Sequence, residues 1–184
     1  MGFDGPAHGR SEGKSTTIEE FRVVIETLVQ QLGNVSAIVT HSFGGGAALY
    51  SLANNLPVKT LVNIASPTIA EEIIKTYLRA IGGSMKTGKA IEKHVLKLTG
   101  KSFNEFTALE LIKHVPQNLN LLLVHDQDDT EVVLDHPREL IKRFPGAELI
   151  QTKGLGHTRI LKDDNVIRSV VTFIVHHSSN SVKS

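Results

Sequence analysis

The stretch that most constrains the fold is Val35 to Tyr50, VSAIVTHSFGGGAALY, where an apolar run ends at a polar dipeptide, turns through glycines and restarts as a helix-prone segment. It reads as strand, sharp turn, helix, with Ser42 at the apex. Val35, Ala37, Ile38 and Val39 are too continuous for a strand wet on one face, which predicts a parallel strand buried on both faces. Thr40-His41-Ser42-Phe43-Gly44 has the small-x-Ser-x-small layout of a nucleophile elbow, in which the serine takes a strained turn and small flanking residues let strand and helix backbones approach. Thr40 replaces the usual first glycine, a mild departure.

Neighbouring segments extend the pattern. Thr17 to Glu20 is a capping box opening an amphipathic helix with Phe21, Val24, Ile25, Leu28 and Leu32 on one face, and Gly33 is placed to cap its end. After the elbow a helix runs from Gly44 to Asn54, and Val58 to Ile64 is the next buried strand, so the two strands are joined by a right-handed crossover. From Ser66 to Gln117 helical periodicity takes over in three pieces, Ile69 to Ile81, Lys86 to Leu98 and Asn104 to Val115, with a second capping box at Ser102 to Glu105. So long a connection predicts an insertion, at about residues 67–117. Leu119 to Val124 is a third strand, Arg138 to Phe144 a helix with Pro137 in its first turn, and Ala147 to Gln151 a shorter fourth strand. Asp163 or Asp164 then caps a last helix through Val175, and the Ser-rich tail after His177 is expected to fray. The predicted class is α/β: a mostly parallel sheet of about four strands flanked by helices, with a helical insertion.

Composition bounds the rest. With 184 residues, 40% hydrophobic and 21% charged, one domain over 1–184 is expected. Lys and Arg number 20 against 19 Asp and Glu, so the chain offers no field for nucleic acid or an anionic membrane. The absence of cysteine removes disulfides, thiolate zinc sites and thiol redox chemistry, and fits a reducing, cytoplasmic setting. No apolar run approaches the roughly 18 residues of a membrane span, and MGFDGPAHGR lacks the apolar core of a signal peptide. His8 to Ser15 imitates a phosphate-cradling loop, but a histidine occupies the first glycine position and no strand precedes it. His176-His177 is a terminal pair with no carboxylate beside it, so no metal and no cofactor is expected.

Three polar sites fall just past the C-terminal ends of predicted parallel strands, where open α/β sheets place their chemistry: Ser42, the acids of HDQDDTEV, and His157. Their chain order, with the elbow HSFGGG, the opening Asp4-Gly-Pro6-Ala-His8-Gly9-Arg-Ser11 (compare D-x-P-G-H-G-x-S), the acid loop HDQDDTEV (compare H-G-x-x-D-x-x-V) and the histidine loop GLGHTRIL, resembles an α/β-hydrolase of the serine-nucleophile type over residues 4 to 160. The resemblance implies Ser42 as nucleophile, His157 as its base and Asp129 as the acid, with Asp126 and Asp128 as competitors. It also implies the Phe43 backbone N–H as one oxyanion donor, and His8 as a turn residue.

The insertion occupies the family's cap position, and Ile73, Ile74, Tyr77, Leu78, Phe103, Phe106 and Leu109 suggest a largely hydrophobic pocket. The expected activity is hydrolysis of a small carboxylic ester or thioester through a Ser42 acyl-enzyme. One feature departs from the resemblance: the family's early strands and the loop supplying the second oxyanion donor have no counterpart here. A chain lacking them would leave the strand before Ser42 as a bare edge. Three outcomes stay open: a truncated product, a homodimer through residues 35–40, or another chain that completes the sheet. The competing class is a noncatalytic hydrolase remnant that associates through that edge.

Overall fold

The computed structural model describes residues 1–180, and side chains for residues 1–178. Four parallel strands, β1 (Ile38–His41), β2 (Thr60–Ile64), β3 (Asn120–Asp126) and β4 (Glu148–Thr152), lie side by side in chain order. Register pairs Ile38 with Leu61, Leu61 with Leu121, and Leu123 with Leu149. Each crossover carries helix, as parallel pairing requires.

Two apolar layers sandwich the sheet. Alternation sends Leu61, Leu121 and Leu123 to one face, where they meet Phe21, Ile25 and Val29 of α1 (Ile18–Leu32) and Leu49 and Leu52 of α2 (Phe43–Ala53). Val62, Leu122 and Val124 point the other way, onto Val166, Val170 and Phe173 of the C-terminal helix. Leu49, Leu52, Leu61, Leu121 and Leu122 are at most 1% exposed, and each such burial contributes about 2 kcal/mol. The Thr17 capping box that opens α1 is formed: Thr17 N–H donates to Glu20 Oε2 at 2.7 Å and Glu20 N–H to Thr17 Oγ1 at 3.1 Å.

The segment between β2 and β3 holds α3 (Ala70–Ile81), α4 (Met85–Thr99), a 3₁₀ turn (Phe103–Phe106) and α5 (Ala108–Leu111). The third helix expected over 104–115 is therefore broken. Thr107 is extended (φ −84°, ψ 153°), and its hydroxyl donates to Asn104 O at 2.8 Å, a local bond that competes with helix continuation. Ala108, Leu111, Ile112 and Val115 then join the core beneath α2, so this end of the insertion behaves as an ordinary crossover. Ile74 and Leu78 of α3 pack at Gly88 of α4, while Tyr77, Ile81, Met85, Leu96 and Leu98 are exposed.

β1 also differs from expectation in one respect. Its place at the edge of the sheet, flanked by β2 alone, is as expected, but it is not buried on both faces: Val39 is 49% exposed, because an apolar run does not say whether a neighbouring strand is there to cover it. After β3 come α6 (Asp135–Arg143), α7 (Gly156–Arg159) and α8 (Asp164–Asn180), the last capped by Asp163, whose Oδ1 accepts from the N–H groups of Asn165 and Val166. The tail is thus helical through Asn180, and the fraying expected at residues 181–184 lies outside the described residues. No helix among the described residues is long and apolar enough to cross a membrane.

Candidate active site

The three polar sites gather at one end of the sheet because all four strands run the same way. Ser42 follows β1 directly and has φ 51° and ψ −125°, a conformation that costs a non-glycine residue about 1–3 kcal/mol and persists only where its surroundings hold it. Thr40 does more than stay small: its hydroxyl lies 3.1 Å from Val62 O and 2.5 Å from Asn63 Oδ1, fastening β1 to β2 one turn below the serine. Phe43 begins α2, and its N–H is one of the helix's unpaired first-turn donors.

Beyond β3 the chain turns back so that Asp129 is buried, 5% exposed. Its Oδ1 accepts from the N–H groups of Glu131 and Val132, both at 2.9 Å, and its Oδ2 accepts from His157 Nδ1–H at 2.8 Å. Burial pushes the Asp129 carboxyl up, but the His157 bond and the two backbone N–H groups outweigh it and hold the group below the usual carboxylate range. The bond to Asp129 raises His157 above an ordinary histidine, against the opposing effect of burial. With Nδ1–H committed to the carboxylate, neutral His157 presents Nε2 as an open base. Glu131 Oε2 lies 3.8 Å from that nitrogen.

The competing acids have other partners. Asp126 accepts from Asp128 N–H at 3.0 Å, Thr152 Oγ1–H at 2.7 Å and Leu155 N–H at 3.0 Å, tying the end of β3 to the loop that presents His157. Burial opposes ionisation of Asp126, yet these donors draw it down to about 2. Asp128 accepts from Gly154 N–H at 3.0 Å. Of the three acids, Asp129 is the one bonded to His157.

Several histidines are structural neighbours. His41 donates Nε2–H to His157 O at 2.9 Å and its ring centre lies 4.7 Å from that of His157, so the residue before Ser42 touches the histidine loop. Ser42 Oγ itself makes no hydrogen bond among the described residues. His125, fully buried, donates Nε2–H to Val132 O at 2.7 Å and backs the acid loop. His8 bonds Pro6 O through Nδ1 at 2.9 Å and stacks on Phe43 at 6.0 Å, while Asp4 Oδ2 accepts from Arg10 N–H at 2.9 Å, closing the opening turn.

His136 has no signal in the sequence pattern. Its Nδ1 accepts from Thr68 N–H at 2.8 Å and Ile69 N–H at 3.1 Å, joining α6 to the start of the insertion, and burial, followed by the nearby His125, pushes it down to about 4.

A cavity of about 380 Å³ opens beside Ser42, lined by Phe3, His8, Phe21, Ile38, Thr40 and Phe43 among others. It follows the free edge of β1 and not the insertion. None of the seven apolar insertion residues borders it: Ile74 and Leu78 pack within the α3–α4 pair, where Leu78 also lines a second cavity of about 390 Å³ with Lys75 and Met85, and Phe106 sits edge-on to Tyr50 at 5.8 Å.

No family model and no curated protein matches the sequence. Solved structures do resemble the fold. An esterase from Pyrococcus furiosus superposes with a TM-score of 0.68 at 20% identity, over 94% of this chain and 68% of that one. A structure from a study of carboxylesterases of the thaumarchaeon Nitrososphaera gargensis gives 0.61 at 19% identity, over 93% and 76%. Mouse alpha/beta hydrolase domain-containing protein 10 gives 0.62 at 18% identity, over 94% and 74%. Four parallel strands in sequential order with helices on both faces agree with these superpositions, and the chain has the α/β-hydrolase fold.

Proposed function

We propose that the protein is a serine hydrolase that cleaves a small carboxylic ester or thioester through a Ser42 acyl-enzyme. The observation that carries this reading is the 2.8 Å bond from His157 Nδ1 to a buried Asp129, beside a serine held at positive φ. Ser42 Oγ loses its proton to His157 Nε2 as it attacks the carbonyl, Asp129 stabilises the imidazolium, and His157 returns the proton to the leaving alcohol or thiol. Phe43 N–H faces the developing oxyanion. Water activated by the same histidine then releases the acid. Hydrogen bonds between nucleophile and base tighten when substrate is bound. The α3–α4 pair is the cap of this reading, and the absence of cysteine favours a cytoplasmic setting.

With short-chain p-nitrophenyl esters and acyl thioesters, turnover is expected for the purified chain and a loss of at least about 10³-fold for Ser42→Ala. Equal rates for the two proteins would reject the assignment.

A second reading is favoured by the open edge of β1: association of two copies through residues 35–40. Unpaired N–H and C=O groups and an exposed Val39 are what a further strand would pair with and cover. Light scattering after size exclusion should give a dimer that Val39→Lys converts to monomer; a monomeric wild-type chain at high concentration would dismiss it.

A further inference from the structure

Behind the elbow lies a buried polar cluster that the proposed triad does not use. Asn63 is in the middle of an apolar strand and only 2% exposed, and Ser66, 6% exposed, follows two residues after the strand ends. Ser66 Oγ is 2.8 Å from Ser42 O and 2.8 Å from Asn63 Oδ1, and Thr40 Oγ1 is 3.1 Å from Val62 O and 2.5 Å from the same amide oxygen. Asn63 Nδ2 is buried without a partner. A hydroxyl has one proton, so neither can donate to both a carbonyl and Oδ1. The conflict between the two hydroxyls is relieved with the amide turned over: its NH₂ donates to both hydroxyls, each hydroxyl proton goes to a backbone carbonyl, and the amide oxygen takes the buried position that has no partner.

We infer that Ser66, oriented by Asn63, is a positioning residue for the oxyanion donor of the proposed hydrolase. Ser42 C=O and Phe43 N–H belong to one planar trans peptide and point in opposite directions. A hydrogen bond that fixes the carbonyl from behind therefore aims the N–H on the other side. Gly45 N–H also bonds Ser42 O, at 3.0 Å, so the carbonyl is held from α2 as well as by Ser66. A carbonyl that accepts hydrogen bonds also polarises its peptide and strengthens the N–H as a donor. On the α2 side the cluster is closed to a side chain: a Cβ on Gly45 would fall 2.0 Å from Ser66 Oγ. Ser66 touches no reacting atom and acts only through this peptide.

The inference rests on the proposed acyl-enzyme reading, and the test separates the two. Reaction of wild-type protein with ester decides the reading. The ratio of Ser66→Ala to wild type decides the inference. Ser66→Ala is expected to lose about 10-fold in kcat with KM changed less than about twofold, and to bind a trifluoromethyl ketone, which forms the oxyanion, about 10-fold more weakly. Ser51→Ala removes a buried hydroxyl of α2 that donates to Ala47 O and does not touch Ser42 O, and is expected to lower Tm while kcat stays within about twofold of wild type. Ser66→Cys, which keeps a weak donor, should fall between Ala and wild type and serves if Ser66→Ala does not fold. A shift of the Phe43 amide resonance in Ser66→Ala and not in Ser51→Ala is the expected signature whether or not the chain turns over. Unchanged kcat and ketone affinity in Ser66→Ala, or equal kcat losses in Ser66→Ala and Ser51→Ala, would overturn it.

Discussion

Replacing Asp129 with asparagine is expected to lower kcat by about 10⁴-fold without unfolding the protein. The size of the effect comes from how the carboxylate is held. Oδ1 is fixed by two donors, the backbone N–H groups of Glu131 and Val132, so an asparagine keeps its oxygen there and turns its NH₂ toward His157. His157 Nδ1 must then accept a hydrogen bond and the ring's proton moves to Nε2, the atom that has to be a base. The pH profile gives a second readout. The Asp129 bond raises His157, and the base acts only when neutral, so wild-type kcat/KM should rise with pH through a value above that of an ordinary histidine. In Asp129→Asn the residual activity should follow a lower value. A loss below about tenfold would show that Asp129 does not set the tautomer of His157.

Gly45→Ala is expected to destabilise the protein by about 2–3 kcal/mol, lowering Tm by about 5–10 °C, although the same change inside an ordinary helix stabilises by about 1 kcal/mol. The sign reverses because a Cβ there would lie 1.9 Å from Asn63 Oδ1 and 2.0 Å from Ser66 Oγ, both buried and hydrogen-bonded in the cluster behind the elbow. Gly46 is the internal control. Its added Cβ meets only Ile18 Cδ1 at 3.5 Å, an ordinary contact, so Gly46→Ala should leave Tm unchanged or raise it. Thermal unfolding of the two variants side by side isolates the steric term from helix propensity. Similar shifts in both would mean that α2 is not pressed against β2 in the way described.

What could be read in the chain beforehand follows from the range of the forces involved. Buried parallel strands are continuous apolar runs, so Leu119 to Val124 and Val58 to Ile64 are visible as strands, and the α/β class follows from the helices between them. Capping is local, and the Thr17 and Ser102 boxes form where their spacing places them. The helix over 104–115 fails because periodicity in the apolar residues cannot register Thr107 bonding back to Asn104. The insertion residues do not line the cavity at Ser42, because Ile74 and Leu78 are used to hold α3 to α4 at Gly88, a pairing that amphipathic spacing does not identify. Asn63 stands in the run TLVNIAS as a polar residue in a buried strand, the one local sign of the cluster behind the elbow. Of its two partners Thr40 lies 23 residues away, and Ser66, three residues on, in turn reaches Ser42 across 24 residues. His136 binds the backbone of Thr68 across 68 residues and leaves no trace in any local pattern.

In the proposed hydrolase Ser42 is a nucleophile activated by His157 and Asp129, and this is tested most directly by intact-mass and peptide analysis of the chain after incubation with a fluorophosphonate. One phosphonyl adduct is expected, located on the peptide that contains Ser42 and absent from Ser42→Ala, with labelling slowed sharply in Asp129→Asn. A folded chain that takes up no adduct, or takes it up at another residue, would contradict it.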